Sequence, residues 1–175
     1  VTSLPGAAAC ITALTLSGLP TRRFAFEAFL PSDKKERACI LQELKNETRT
    51  IILYEAPHRL VKMLEELYAE LGDRKISLCR ELTKKHETVF RDTLSQAIAW
   101  YKENPPKGEC VMVLAGRPRE ELVLEERQKW ENMSLEEHLA IYEKEGMSRK
   151  DAMKQVAKDR GIRKRDVYQA LLNQE

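Results

Sequence analysis

The sequence predicts an α/β fold: a mixed, mostly buried five-stranded sheet flanked by helices, with a small all-α, helix-turn-helix-like tail. Three observations predict it. Short apolar runs rich in β-branched residues, such as Thr50-Ile51-Ile52-Leu53 and Cys110-Val111-Met112-Val113-Leu114, alternate with helical patterns, as in a sheet covered on both faces. Leu60, Val61, Met63, Leu64, Leu67, Tyr68 and Leu71 repeat at the 3.6-residue period of an amphipathic helix. The sign of the charge then reverses within the last third of the chain. At 175 residues, 42% apolar and 33% charged, the chain has the size of one domain plus a small appendage.

In order, Val1 to Leu4 reads as the tail of a strand and Pro5-Gly6 as a turn. The absence of a leading Met, in mid-element, gives the expectation that residues precede Val1. Ala7 to Leu16 is a small-residue helix stopped at Ser17-Gly18; its small side chains suit close helix–sheet packing or the approach of a flat ligand. Phe24 to Phe29 alternates large and small residues as a strand does, and Pro31 closes it. Asp33 with Glu36 resembles a capping box for a helix through about Leu44. The run from Thr50 ends in Tyr54-Glu55, and Pro57 opens the amphipathic helix, where its missing N–H is no loss; Gly72 stops it. Lys75 to Arg80 is another strand, leading into a charged hairpin through Thr88 to Asp92 in which Lys85 and His86 are expected in solvent. Thr93 with Gln96 caps a helix carrying Leu94, Ala97, Ile98 and Tyr101 on one face. Pro105-Pro106-Lys107-Gly108 turns into the last strand, which ends in the small residues Ala115-Gly116.

Residues 1–118 therefore form the α/β part, 119–133 an acidic linker and 134–175 the helical tail. From Arg119 to Glu145 nine acidic residues face four basic ones; from Met147 to Tyr168 eight basic residues face three acidic ones. Such asymmetry points to a surface for a polyanion. Ser134 with Glu137 and Ser148 with Asp151 mark helix starts, and Gly146 and Gly161 mark stops. Val156, Ala157, Gly161, Ile162, Val167 and Leu171 have the spacing of a helix-turn-helix, and with the basic charge this favours nucleic acid.

Several chemistries are excluded. No two glycines fall two apart, so neither a dinucleotide fingerprint nor a P-loop is present, and no GxSxG elbow occurs. His58, His86 and His138 lack metal-ligand spacing, so no metal is expected. Cys10, Cys39, Cys79 and Cys110 stand about thirty residues or more apart, three of them in apolar segments, as free thiols of a cytoplasmic protein do. No apolar run nears the ~20 residues of a membrane span. What remains is an edge: Tyr54, Glu55, His58 and Arg59 lie at a strand's carboxyl end and a helix's amino end, where α/β sheets bind ligands. Arg80 and Glu81 follow a buried strand directly, so each needs a charge partner or a ligand.

The blocks Leu4-Pro5-Gly6-Ala7-Ala8-Ala9, Ser17-Gly18-Leu19-Pro20-Thr21, Phe29-Leu30-Pro31, Tyr54-Glu55-Ala56-Pro57-His58-Arg59, Arg80-Glu81-Leu82-Thr83-Lys84, Lys107-Gly108-Glu109 and Gly146-Met147-Ser148 occur in this order. Together they resemble the ribosomal RNA small subunit methyltransferase I family of the tetrapyrrole-methylase superfamily, over essentially the whole chain. The resemblance implies S-adenosylmethionine-dependent 2′-O-methylation of a cytidine in 16S rRNA by a cytoplasmic homodimer. It implies that this chain is the C-terminal part, without the glycine-rich cofactor half and inactive alone. Gly6, Ala7, Ala8, Ala9, Tyr54, Glu55, Ala56, Ala115 and Gly116 would meet the cofactor. Glu81, then Glu55, would accept or orient the hydroxyl proton, unless Glu81 is an ion-pair partner of Arg80 or Lys84. His58, Arg59, Arg80, Lys84, Arg163, Lys164 and Arg165 would contact RNA. Ala8 stands where the family usually has Ser, and Asp92 where Gly is usual, which puts one hydroxyl contact and one turn in doubt. The rival readings are a corrin or porphyrin methyltransferase, which shares the fold but needs no basic tail, and a nucleic-acid-binding regulator without catalysis.

Overall fold

The computed structural model describes residue 2 and residues 6–172, divided into two units, Val1–Arg117 and Pro118–Glu175. The first unit is a five-stranded sheet in the order β1-β2-β5-β3-β4, with β1 Phe24–Phe29, β2 Thr50–Glu55, β3 Lys75–Arg80, β4 Thr88–Thr93 and β5 Cys110–Leu114. β1 and β2 are parallel; β5 is antiparallel to both β2 and β3, and β3 and β4 form an antiparallel hairpin. The sheet is therefore mixed, as expected. Its fifth strand is the hairpin arm β4; the strand end read at Val1 to Leu4 lies outside the described residues, apart from Thr2.

Alternation along the buried strands splits the core into two layers. Ile51, Leu53, Leu78, Met112 and Leu114 pack beneath α2 (Lys34–Lys45), α3 (Leu60–Leu71) and α4 (Leu94–Glu103). Ile52, Cys79, Val111 and Val113 face α1 (Ala9–Leu16) through Ala13 and Leu14. Local chemistry sets the helix starts. Asp33 Oδ1 accepts from the backbone of Lys35 and Glu36, and Thr93 Oγ1 from Gln96. Ala8, at the α1 start, offers no side-chain cap, so a Ser there would supply an acceptor. Pro57 opens a 3₁₀ turn, Pro57–Arg59, rather than the α-helix itself. Arg74 is buried and donates to the carbonyls of Leu71, Leu44 and Lys45, closing the carboxyl ends of two helices. Asp92 lies inside β4, opposite Ile76, so no turn depends on it. Cys79 and Cys110 are buried, but Cys10 is half-buried and Cys39 is exposed on α2.

The second unit holds α5 (Arg119–Glu131), α6 (Leu135–Lys144), α7 (Arg149–Arg160) and α8 (Lys164–Leu172). Where the acidic linker was expected the chain is helical: Glu120 and Glu121 fall in the first turn of α5 and Lys129 in its last, charges that suit the helix dipole. Ser134 and Glu137 form a reciprocal capping box, and Gly161 ends α7 at φ +64°, the left-handed conformation that favours glycine. Val156, Ala157, Val167 and Leu171 are buried between α7 and α8 with Leu139 and Ala152; Ile162, placed in that core by its spacing, is 40% exposed at the turn. No helix among the described residues is long and apolar enough to cross a membrane.

Candidate active site

Strand direction decides which residues meet. Glu55 and Arg80 both sit opposite Cys110, on either side of it. The carboxyl ends of β2 and β3 thus share one sheet edge with the amino end of β5. That edge gathers Tyr54 to Arg59, Arg80 to Lys84 and Lys107 to Glu109. Ala115 and Gly116 do not join them. Because β5 runs the other way, its end pairs with Ile51 and Ile76 at the opposite edge, where Ala115 N donates to Lys75 O. A Cβ on Gly116 would stand 2.3 Å from the Thr48 carbonyl carbon, so its smallness serves packing against that backbone.

The two faces then separate neighbours in sequence. Tyr54 turns toward α1, where its Oη accepts from the Cys10 N–H at 3.1 Å and its ring meets Phe26 and Phe29 edge-on. Burial, followed by the contact with Cys10, raises the phenol pKa above its ordinary value. Glu55 turns toward α3 and is only 2% exposed. Its Oε1 accepts from Ala56 N at 2.7 Å and from Arg59 Nε and Nη2, each at 2.8 Å. Glu55 and Arg59, expected as proton acceptor and RNA ligand, form an ion pair with each other, since a buried carboxylate needs its cation. His58 is exposed at the same turn, and Ala56 is half-buried.

A cleft of about 480 Å³ opens on the Tyr54 side, lined by Ala9, Phe29, Tyr54, Cys79, Glu81, Leu82, Lys84, Gly108, Glu109, Cys110 and Val111. Of the expected small-residue segment only Ala9 reaches it; Gly6, Ala7 and Ala8 are exposed. Glu81 holds a positive φ of 53°, rare for a residue with a Cβ, and Thr83 one of 64°. Glu81 Oε1 lies 3.2 Å from Lys84 Nζ. A Cβ on Gly108 would come 2.1 Å from the same oxygen, so the glycine at φ +78° is the space the carboxyl occupies. Arg80 points to the other face, donating to Thr88 Oγ1 at 3.2 Å and to the Lys107 carbonyl at 3.1 Å. Burial pushes the Cys110 thiol up to about 11 and raises that of Cys79, so neither is a thiolate at neutral pH. Two carboxylates, one ammonium and two aromatic rings suit a cationic organic ligand, with one carboxylate placed to take a proton. Sequence reasoning missed Glu109 and the seating of Glu81 on Gly108; the Lys107-Gly108-Glu109 block was the only signal for them.

In the helical unit, Arg163, Lys164 and Arg165 are exposed around the start of α8. The unit also contains a cluster that no spacing announced. His138 is fully buried, its ring stacked on Trp130 at 3.8 Å. Arg160 Nε donates to its Nδ1 at 3.1 Å, so the proton of the neutral ring sits on Nε2, with Asp159 Oδ2 3.4 Å away. Burial, then the Arg160 charge, lowers the His138 pKa, against an opposing pull from Asp159. The unfolded chain binds this proton at higher pH than the folded one. Stability is therefore present above about pH 6.5 and falls as pH drops from there toward the folded pKa. Thermal melting from about pH 7.5 to 5 should show a steeper loss for the parent than for His138→Phe; parallel profiles would contradict it.

A family model described as Tetrapyrrole (Corrin/Porphyrin) Methylases matches residues 1–98. The chain is 45% identical over 168 residues to a "Ribosomal RNA small subunit methyltransferase I" of Halalkalibacterium halodurans, covering 96% of this chain and 57% of that protein. The Bacillus subtilis protein of the same name is 45% identical over 170 residues, 97% of this chain and 58% of its own. That of Synechocystis is 43% identical over 176 residues, 100% and 61%. The chain thus spans about three fifths of the length of these relatives.

Proposed function

The chain belongs to the tetrapyrrole (corrin/porphyrin) methylase family, and from that premise we propose that it forms one wall of an S-adenosylmethionine-dependent methyltransferase site. The acceptor we assign is a cytidine ribose 2′-hydroxyl of 16S rRNA. The observation that carries this is the cleft at the shared edge of β2, β3 and β5, where Glu81 is held over Gly108 beside Tyr54.

The cofactor is a sulfonium cation attached to an adenosine and an amino acid, and the lining fits it. About 480 Å³ lies within the range of small-molecule sites. Glu109 offers a carboxylate to a cation or to ribose hydroxyls, the Tyr54 and Phe29 rings offer π faces, and Ala9 lets the ligand come close. When bound, S-adenosylmethionine supplies an electrophilic methyl group. The residues of this chain have the remaining tasks. Glu81 accepts or orients the proton of the ribose hydroxyl, Lys84 holds that carboxylate in place, and Arg80 is near enough to the edge to meet phosphate. Exposed His58 lies at the same edge. The basic turn at Arg163, Lys164 and Arg165 favours RNA over a tetrapyrrole as acceptor. The relatives named as small-subunit rRNA methyltransferases support the same choice, and we extend it to a cytoplasmic homodimer.

We assign the rest of the cofactor site to the part of the relatives that this chain does not span. Calorimetric titration of S-adenosylmethionine should therefore show clear binding to a protein of the relatives' length and weak or no binding to this chain. Transfer of labelled methyl to 16S rRNA should follow only the longer protein. A longer protein that binds no S-adenosylmethionine would overturn the proposal.

A further inference from the structure

A second groove of about 480 Å³ opens on the other face of the sheet, lined in part by Arg80, Thr88, Phe90, Trp100, Tyr101 and Asn104. α4 buries Leu94, Ala97 and Tyr101. Trp100, one position off that face, is 53% exposed and lies over Phe90 with ring centroids 6.4 Å apart and planes 26° from parallel. An indole braced from one side and open on the other is a stacking platform. The charge of this groove is opposite to that of the first. Its lining holds one cation, Arg80, and no carboxylate, whereas the first cleft holds Glu81 and Glu109 against Lys84. The two also meet at one seam. Arg80 and Glu81 are consecutive, Arg80 is tied to the Lys107 carbonyl, and the next residue, Gly108, seats Glu81.

We propose that this groove binds an unpaired base of the RNA substrate, stacked on Trp100, with Arg80 facing its phosphate, while a nearby nucleotide presents its ribose to Glu81. This rests on the function proposed above and adds a substrate-positioning residue, Trp100, to it. A cationic groove with an open aromatic face suits a strand whose bases stack and whose backbone is negative, and Asn104, whose Nδ2 donates to the Trp100 carbonyl at 3.0 Å, lines it too.

The test is titration of this chain with a short oligocytidylate, read by tryptophan fluorescence and by competition. The Trp100→Ala variant should bind about 5- to 150-fold more weakly, the range that the loss of one stacked base gives, while Trp100→Phe, which keeps a ring, retains most of the affinity. The fluorescence that Trp100→Phe lacks should be the part quenched in the parent. Unchanged affinity in Trp100→Ala together with no quenching would overturn the groove assignment. That failure is separate from failure of the methyltransferase assignment, which is read from S-adenosylmethionine binding to the longer protein.

Discussion

Glu81→Gln, placed in a protein of the relatives' length, should lower methyl transfer by about 10²- to 10⁴-fold, the usual contribution of a positioned acid–base group. Affinity for S-adenosylmethionine should change little. Gln keeps the shape over Gly108 and one carbonyl acceptor, and loses the negative charge and with it the ability to take a proton. Folding should be almost untouched, because the pair with Lys84 is exposed on the lysine side (66%, with 24% for Glu81) and such pairs contribute about 1 kcal/mol at most. If Glu81 were only the partner of Lys84, Lys84→Ala would reproduce the whole defect. We expect Lys84→Ala to fall well short of it, since a nearby cation steadies the carboxylate without replacing it. Single-turnover rates for the two variants decide the matter; equal losses, or a full rate in Glu81→Gln, would remove Glu81 from the chemistry.

Replacing Arg163, Lys164 and Arg165 together by Ala should weaken RNA binding by about 10²-fold near 0.1 M salt and reduce the slope of log affinity against log salt by about 2, if each side chain neutralises one phosphate of a single strand. The loss should be similar for all RNA sequences, because phosphate contacts carry no base information. All three side chains are exposed around the start of α8, so the helical unit should keep its stability to within about 0.5 kcal/mol. Filter binding across a salt series measures both quantities, and an unaltered slope would reduce this surface to scaffolding. The Trp100 site differs in kind: an indole neutralises no phosphate and releases no counterion, so its loss lowers affinity without flattening the slope.

Much of the molecule was legible because its signals are local. The apolar run from Thr50 and the turn at Pro57 placed β2 and the helix behind it, and Ser134 with Glu137 marked the start of α6 to the residue. The edge carrying Tyr54 and Glu81 was legible too, since polar residues directly after a buried strand have few places to go. Three features were not. Glu55 read as the second candidate after Glu81, but pleating sends it to the α3 face and into Arg59. Gly108 looked like a turn residue, and only the fold sets the Glu81 carboxyl against it. His138 carried no signal in the sequence beyond its lack of metal-ligand spacing, yet Trp130 and Arg160, from α5 and α7, enclose it.

The chain's own residues determined where most strands and helices begin and end, α5 in the expected linker excepted, because capping, turn geometry and apolar periodicity act over about four residues. The tertiary structure alone decided which strand ends share an edge. Cys110 to Leu114 is uniformly apolar and fits a sheet in either direction, so nothing in it reveals that its tail, with Ala115 and Gly116, points away from Tyr54. Direction is fixed by pairing with β2 and β3, and those hydrogen bonds are made by backbone groups that every residue carries.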